Sequence, residues 1–207
     1  MNAIESRRIW ARVAGLMYLL VLLVDLTGMQ MPHSPIGRSL TLLGSLLTIP
    51  LALGLYFTTK VFQPLTSGLA LACRLTEAGI GVIATVAGFG AVRMFLDGST
   101  VGRSTLLLVA WNKETEFGAF IFTMGSILFF LVFVRSVSIP RLLSWLGLMA
   151  SLLTFAACTA HLIWPPFSAM NMAAWIPMLI AEIGTGGWLL IRAVSPVPPS
   201  AAVLGSS

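Results

Sequence analysis

Gly68–Phe89 reads GLALACRLTEAGIGVIATVAGF. The run is long and apolar enough to cross a bilayer as one helix, yet Arg74 and Glu77 fall inside its first half. A helix that carries a guanidinium and a carboxylate through hydrocarbon has to bury them against other helices. Arg74, Glu77, Gly81, Thr85 and Gly88 share one face by three-and-four spacing. Small and polar residues on one stripe mark the protein-facing side, because large apolar residues suit lipid. The remaining segments must then supply partners for that face.

Composition points the same way. The 207 residues are 57% hydrophobic and only 9% charged, with a mean hydropathy of +0.96. Soluble domains carry roughly 25% charged residues, so this chain is built for lipid and has no room for a second, soluble domain. The formal net charge of +5 does not imply nucleic acid, since the basic residues sit singly at segment ends. Cys73 and Cys158 differ in expected depth by about 16 Å at 1.5 Å per residue, which excludes a disulfide and leaves two structural thiols. Two histidines and two cysteines, none in ligand spacing, exclude a dedicated metal centre. His33 lies in a proline-rich loop, so a haem pair is not expected and no cofactor is assigned.

Six spans are expected, at about 11–31, 36–60, 68–89, 117–134, 142–164 and 172–191. The basic start Arg7-Arg8…Arg12 imitates a signal peptide, but the following run is too long and lacks a small-residue cleavage site. Pro32-His33-Ser34-Pro35 breaks the chain before the second span, and Pro50 bends that span near its middle. Between Arg93 and Glu116 the run 106–111 is too short to cross and is expected at the interface, with Trp111 at headgroup level. Gly147, Ser151, Thr154, Cys158 and His161 form a second small-and-polar stripe, and Pro165-Pro166 closes that span. The tail 195–207 is expected to be disordered.

An even number of spans puts both termini on one side. That side carries Arg7, Arg8, Arg12, Lys60, Arg135, Arg141 and Arg192, against Arg38, Arg93, Arg103 and Lys113 on the other. The positive-inside rule places the termini in the cytoplasm. Glu77 is then about 13 Å deep and Glu182 about 15 Å deep, both near the midplane, with Arg74 one turn from Glu77. Tyr18 shares a face of the first span with Gly15, Leu22 and Asp25. Asp25 and His161 are expected at similar depth near the outer surface, as a second pair.

Three carboxylates, Asp25, Glu77 and Glu182, thus face a single arginine, so at least one acid is in surplus. Two readings stay open: Arg74, Glu77 and Glu182 clamp the third and sixth spans together, or they bind a solute headgroup or relay protons. No nucleophile elbow, phosphate loop, H-E-x-x-H or dinucleotide fingerprint occurs, and Gly184-Thr185-Gly186-Gly187 reads as a close-packing patch.

Several stretches resemble a bacterial six-helix family catalogued as domain of unknown function 4386. They are 11–20 (ARVAGLMYLL), Arg74-Leu75-Thr76-Glu77-Ala78, the Arg135-Ser136…Pro140…Leu146-Gly147 stretch with Trp145, and Ala181-Glu182 with Trp188-Leu189-Leu190. The resemblance implies an integral membrane protein with no assigned activity.

The expectation is an all-α, multi-pass, six-helix bundle in a bacterial cytoplasmic membrane. Its candidate site is Arg74, Glu77, Glu182 and Tyr18, with Asp25 and His161 as an outer pair and no catalytic or metal residues. The bilayer is its first partner, with a small solute, ion or lipid at the site and a second membrane protein or another copy as further candidates. The alternatives are an intramembrane enzyme acting on a lipid, with a glutamate as base, and a structural or regulatory subunit.

Overall fold

The computed structural model describes residues 3–31, 34–96, 101–164 and 168–194; side chains are described outside residues 3, 88, 90–115 and 168–171. Six helices follow one another: α1 Ala3–Met29, α2 Pro35–Thr59, α3 Pro64–Leu96, α4 Val101–Ser136, α5 Arg141–Ile163 and α6 Ser168–Arg192. No strand occurs among the described residues. Each helix contains a stretch long and apolar enough to cross a membrane, so the chain is a multi-pass membrane protein.

Helix ends follow local chemistry. Ser34 caps α2, its hydroxyl accepting from the Gly37 N–H at 2.9 Å, and Pro35 opens the first turn. Pro64 opens α3 in the same way. Pro50 and Pro177 lie inside α2 and α6. Near the latter, the Thr154 hydroxyl of α5 donates across to the Ala174 carbonyl at 2.9 Å and ties the two helices together. Just past the end of α4, Val137 is left-handed at φ 51° although it is not glycine.

Two segments differ from the sequence reading. α1 starts at Ala3, not near residue 11, so Arg7, Arg8 and Arg12 lie within the helix. Arg7 is buried: its Nε donates to the Thr58 carbonyl at 3.0 Å, its Nη2 to the Ser138 hydroxyl at 3.1 Å, and its guanidinium covers the Phe62 ring at 4.6 Å. The arginine is thereby drawn into the bundle instead of stopping at its edge. The interfacial piece expected at 106–111 is also not separate. α4 runs unbroken from Val101, because Asn112-Lys113-Glu114 interrupts hydropathy without supplying a helix breaker. The Trp111 side chain, Pro32-His33, Pro165-Pro166 and the tail from Ser195 lie outside the described residues.

Each helix packs against the next, and α6 returns to α1, which closes a ring with one minor extra contact between α2 and α4. α3 and α6 therefore stand on opposite sides. The ring is drawn tight where small residues let backbones approach. Gly15 of α1 meets the Gly186 and Leu190 backbone of α6, and Gly147 of α5 receives the Phe130 ring of α4. The interior is filled mainly from α4, by Phe122, Phe129, Phe130 and Phe133, together with Tyr18, Leu51, Leu55, Met178 and Leu189.

Candidate functional site

The polar cluster occupies the ring interior where α1, α3, α4 and α6 face inward. α3 contributes Arg74, 2% exposed, because the Arg74–Thr85 stripe turns toward the bundle. Its stem lies against Gly125 of α4, where a side chain would take its place, and its guanidinium sits 4.5 Å above the Phe122 ring. Phe122 in turn stacks on Trp175 of α6 at 5.4 Å. An arginine and two aromatic rings thus bridge from α3 through α4 to α6.

Arg74 makes its ion pair within α3, Nη1 lying 3.1 Å from Glu77 Oε2. The alignment is not that of a hydrogen bond, and Arg74 Nε and Nη1 and Glu77 Oε2 have no hydrogen-bond partner. Glu77 keeps 20% of its side chain exposed. Across the ring, Glu182 is 5% exposed, and among the described residues it makes no ion pair and its Oε1 is buried without a partner. Arg74 lies in the combined field of Glu77, Tyr18, Glu182 and Asp25. Tyr18 is buried on α1, its Cβ against Gly186, one turn from Glu182. The four residues read from sequence as one site are therefore electrostatic neighbours, but the direct bond is Arg74–Glu77.

Two further buried side chains lie next in sequence or one turn from residues of this centre. Ser126 follows Gly125 on α4 and Thr185 lies one turn beyond Glu182 on α6; both are buried and neither hydroxyl has a partner. Ser67 in the first turn of α3 is likewise buried without a partner, but most other buried helical hydroxyls are bonded to their own helix. Thr48, Thr58, Thr59, Thr85, Ser144, Ser151 and Thr154 each donate to the carbonyl four residues back, and Thr123 donates three back. Each unsatisfied buried polar group costs about 1–3 kcal/mol. Sequence spacing placed Thr185 beside Glu182, but nothing in it separates a hydroxyl bonded to its own helix from an unspent one. Phe122 and Trp175 carry no signal among so many apolar neighbours.

Asp25 and His161, expected as an outer pair, stand on α1 and α5, which are not neighbours in the ring, and no ion pair joins them among the described residues. Asp25, half-buried, sets its carboxylate on Gly44 of α2, where a residue with any side chain would collide. His161 Nε2 lies instead 3.5 Å from Glu116 Oε1 of α4. The face logic was sound for each helix, but ring order decides which faces meet.

No group of three or more His, Cys, Asp or Glu side chains able to hold a metal ion occurs among the described residues. The fold and its buried ionic centre define a six-helix integral membrane protein. A family model described as "Domain of unknown function (DUF4386)" matches residues 35–193. The chain belongs to that family. The match starts at α2, so the resemblance in the 11–20 stretch lies outside it. Comparisons with curated proteins and with solved structures give no match.

Proposed function

We propose that this membrane protein binds, and moves between the two ends of its helical ring, a small solute, ion, proton or lipid group at Arg74, Glu77, Glu182 and Tyr18. The observation that carries the reading is Glu182. A clamp between α3 and α6 needs Glu182 on Arg74, yet Arg74 pairs with Glu77 of its own helix and Glu182 makes no ion pair. A buried carboxylate left that way costs stability and gives none back, which favours a working acid over glue. The basic-residue bias of the sequence supports termini in the cytoplasm of a bacterial cell.

The test is Glu182→Gln in reconstituted vesicles, read as proton flux under an imposed pH gradient, with melting of the purified protein alongside. The expected result is an intact fold and altered flux. Unaltered flux with a lowered melting temperature would make Glu182 structural and overturn the reading.

A further inference from the structure

We propose that Glu182 is the point where positive charge is exchanged in the core, holding in turn a proton and the head of a small organic ammonium ion. The inference rests on the binding role given above to this cluster and adds the class of ligand.

Charge is the first argument. Within the ring, Arg74 faces Asp25, Glu77 and Glu182, so the site is short of positive charge. An anionic ligand would deepen that deficit in a low-dielectric interior, whereas either a proton or a cation on Glu182 relieves it. The charges acting on Glu182 are those of Arg74 and Glu77 from α3 and Asp25 from α1, with Tyr18 of α1 also facing it. On α5, the other neighbour of α6, the ionisable side chains stand at Arg141 in the first turn and at Cys158 and His161 in the last two. Arg74 is the sole cation among the charges acting on Glu182, and it is already held by Glu77 at 3.1 Å and by the face of Phe122.

The lining is the second argument. Glu182 Oε1 and, one turn on along the same face of α6, Thr185 Oγ1 are buried oxygens without partners among the described residues, free to accept N–H groups of an ammonium head. Trp175, two turns before Glu182 on α6, stacks on Phe122, and Tyr18 is buried against Gly186, one turn after Glu182; aromatic faces suit organic cations. Phe122 already carries one cation, the Arg74 guanidinium. A divalent metal finds no converging ligand set among the described residues. The exchange balances: the Glu182 carboxylic acid releases its proton to solvent as the ammonium enters, and the carboxylate then pairs with it. The net charge of the core is the same in both states.

The test uses the purified full chain in detergent, lightly buffered, with n-butylammonium, butyrate, butyramide and sodium chloride added separately. Melting is followed by tryptophan fluorescence and proton release by a pH dye. Butylammonium should raise the wild-type melting temperature by about 5 °C or more near a hundredfold excess over its Kd, and release about one proton per chain. Glu182→Gln should lose both effects, and Thr185→Val should weaken binding about five- to tenfold. The wild-type proton release needs no variant, so misfolding of Glu182→Gln leaves the test intact. If butyrate or butyramide stabilises the protein and butylammonium does not, the ligand class is wrong while the binding site stands. If sodium chloride alone reproduces the shift and the proton, the occupant is an alkali cation and the ammonium assignment is overturned. If no solute acts and Glu182→Gln only melts lower, the ammonium site and the binding role fall together.

Discussion

Glu77→Gln and Glu182→Gln should have very unequal consequences for stability. Arg74 is buried, and among the described residues its ion pair is with Glu77. Removing that carboxylate leaves a guanidinium in the membrane interior on the face of Phe122 alone. Breaking one partner of a buried pair costs 3–5 kcal/mol; with Glu77 20% exposed, the low end applies, about 3 kcal/mol. Glu182→Gln removes no ion pair and replaces an uncompensated acid with a neutral group of similar volume. Its cost should stay under about 1 kcal/mol. Arg74→Met should largely rescue Glu77→Gln, since an apolar side chain can replace a buried pair at little cost. Reversible unfolding in mixed micelles, followed by tryptophan fluorescence, measures all three. If Glu182→Gln costs as much as Glu77→Gln, Glu182 is what neutralises Arg74. The clamp between α3 and α6 would then hold, and the argument from an uncompensated acid would collapse.

Other perturbations test the packing. Gly147→Ala puts a methyl group into the Phe130 ring and should destabilise by about 1–3 kcal/mol, visible as a lower unfolding midpoint. Val137→Gly relieves a β-branched residue at φ 51° and should stabilise by about 1 kcal/mol in the same assay. Arg7→Met loses the bonds to the Thr58 carbonyl and the Ser138 hydroxyl; a loss of about 2 kcal/mol is expected, whereas a change near zero would make Arg7 a mere flanking charge. His161→Ala removes a 3.5 Å contact to a partly exposed Glu116 and should shift stability by no more than about 0.5 kcal/mol.

The six-helix architecture was legible because bilayer thickness imposes span length and because Pro35, Pro64 and Pro140 punctuate the chain. The inward faces of α3 and α5 were legible too, since small and polar residues repeat there at helical spacing. Contacts between helices were not. Periodicity says which side of α1 carries Asp25 and which side of α5 carries His161, but it is silent on ring order. The same gap hid Arg7. Its position before an apolar run reads as a membrane anchor, and only the turn at Ser138 and the end of α2 make it a buried tie. Continuous α4 was missed for a different reason: hydropathy measures affinity for lipid, and helix continuity depends on backbone breakers, which the 101–116 stretch lacks.

Ring closure also bears on what the charges can do. α3 and α6 stand opposite each other and never touch, so any link between Arg74 and Glu182 has to run through side chains across the interior. The structure supplies such a path in apolar form, Arg74 on Phe122 and Phe122 on Trp175, while the carboxylates take no part in it. For Arg74 to reach Glu182 it must first leave Glu77, its neighbour one turn away on a rigid helix. An intrahelical pair of this kind is insensitive to how α3 moves relative to α6, because both partners move together. On the proposed binding role, Glu182 would change its own occupant while the charge on α3 stays neutralised. A site meant only to hold two helices together would place its strongest bond between them; here that bond lies within one helix, and the acid opposite is left open to exchange.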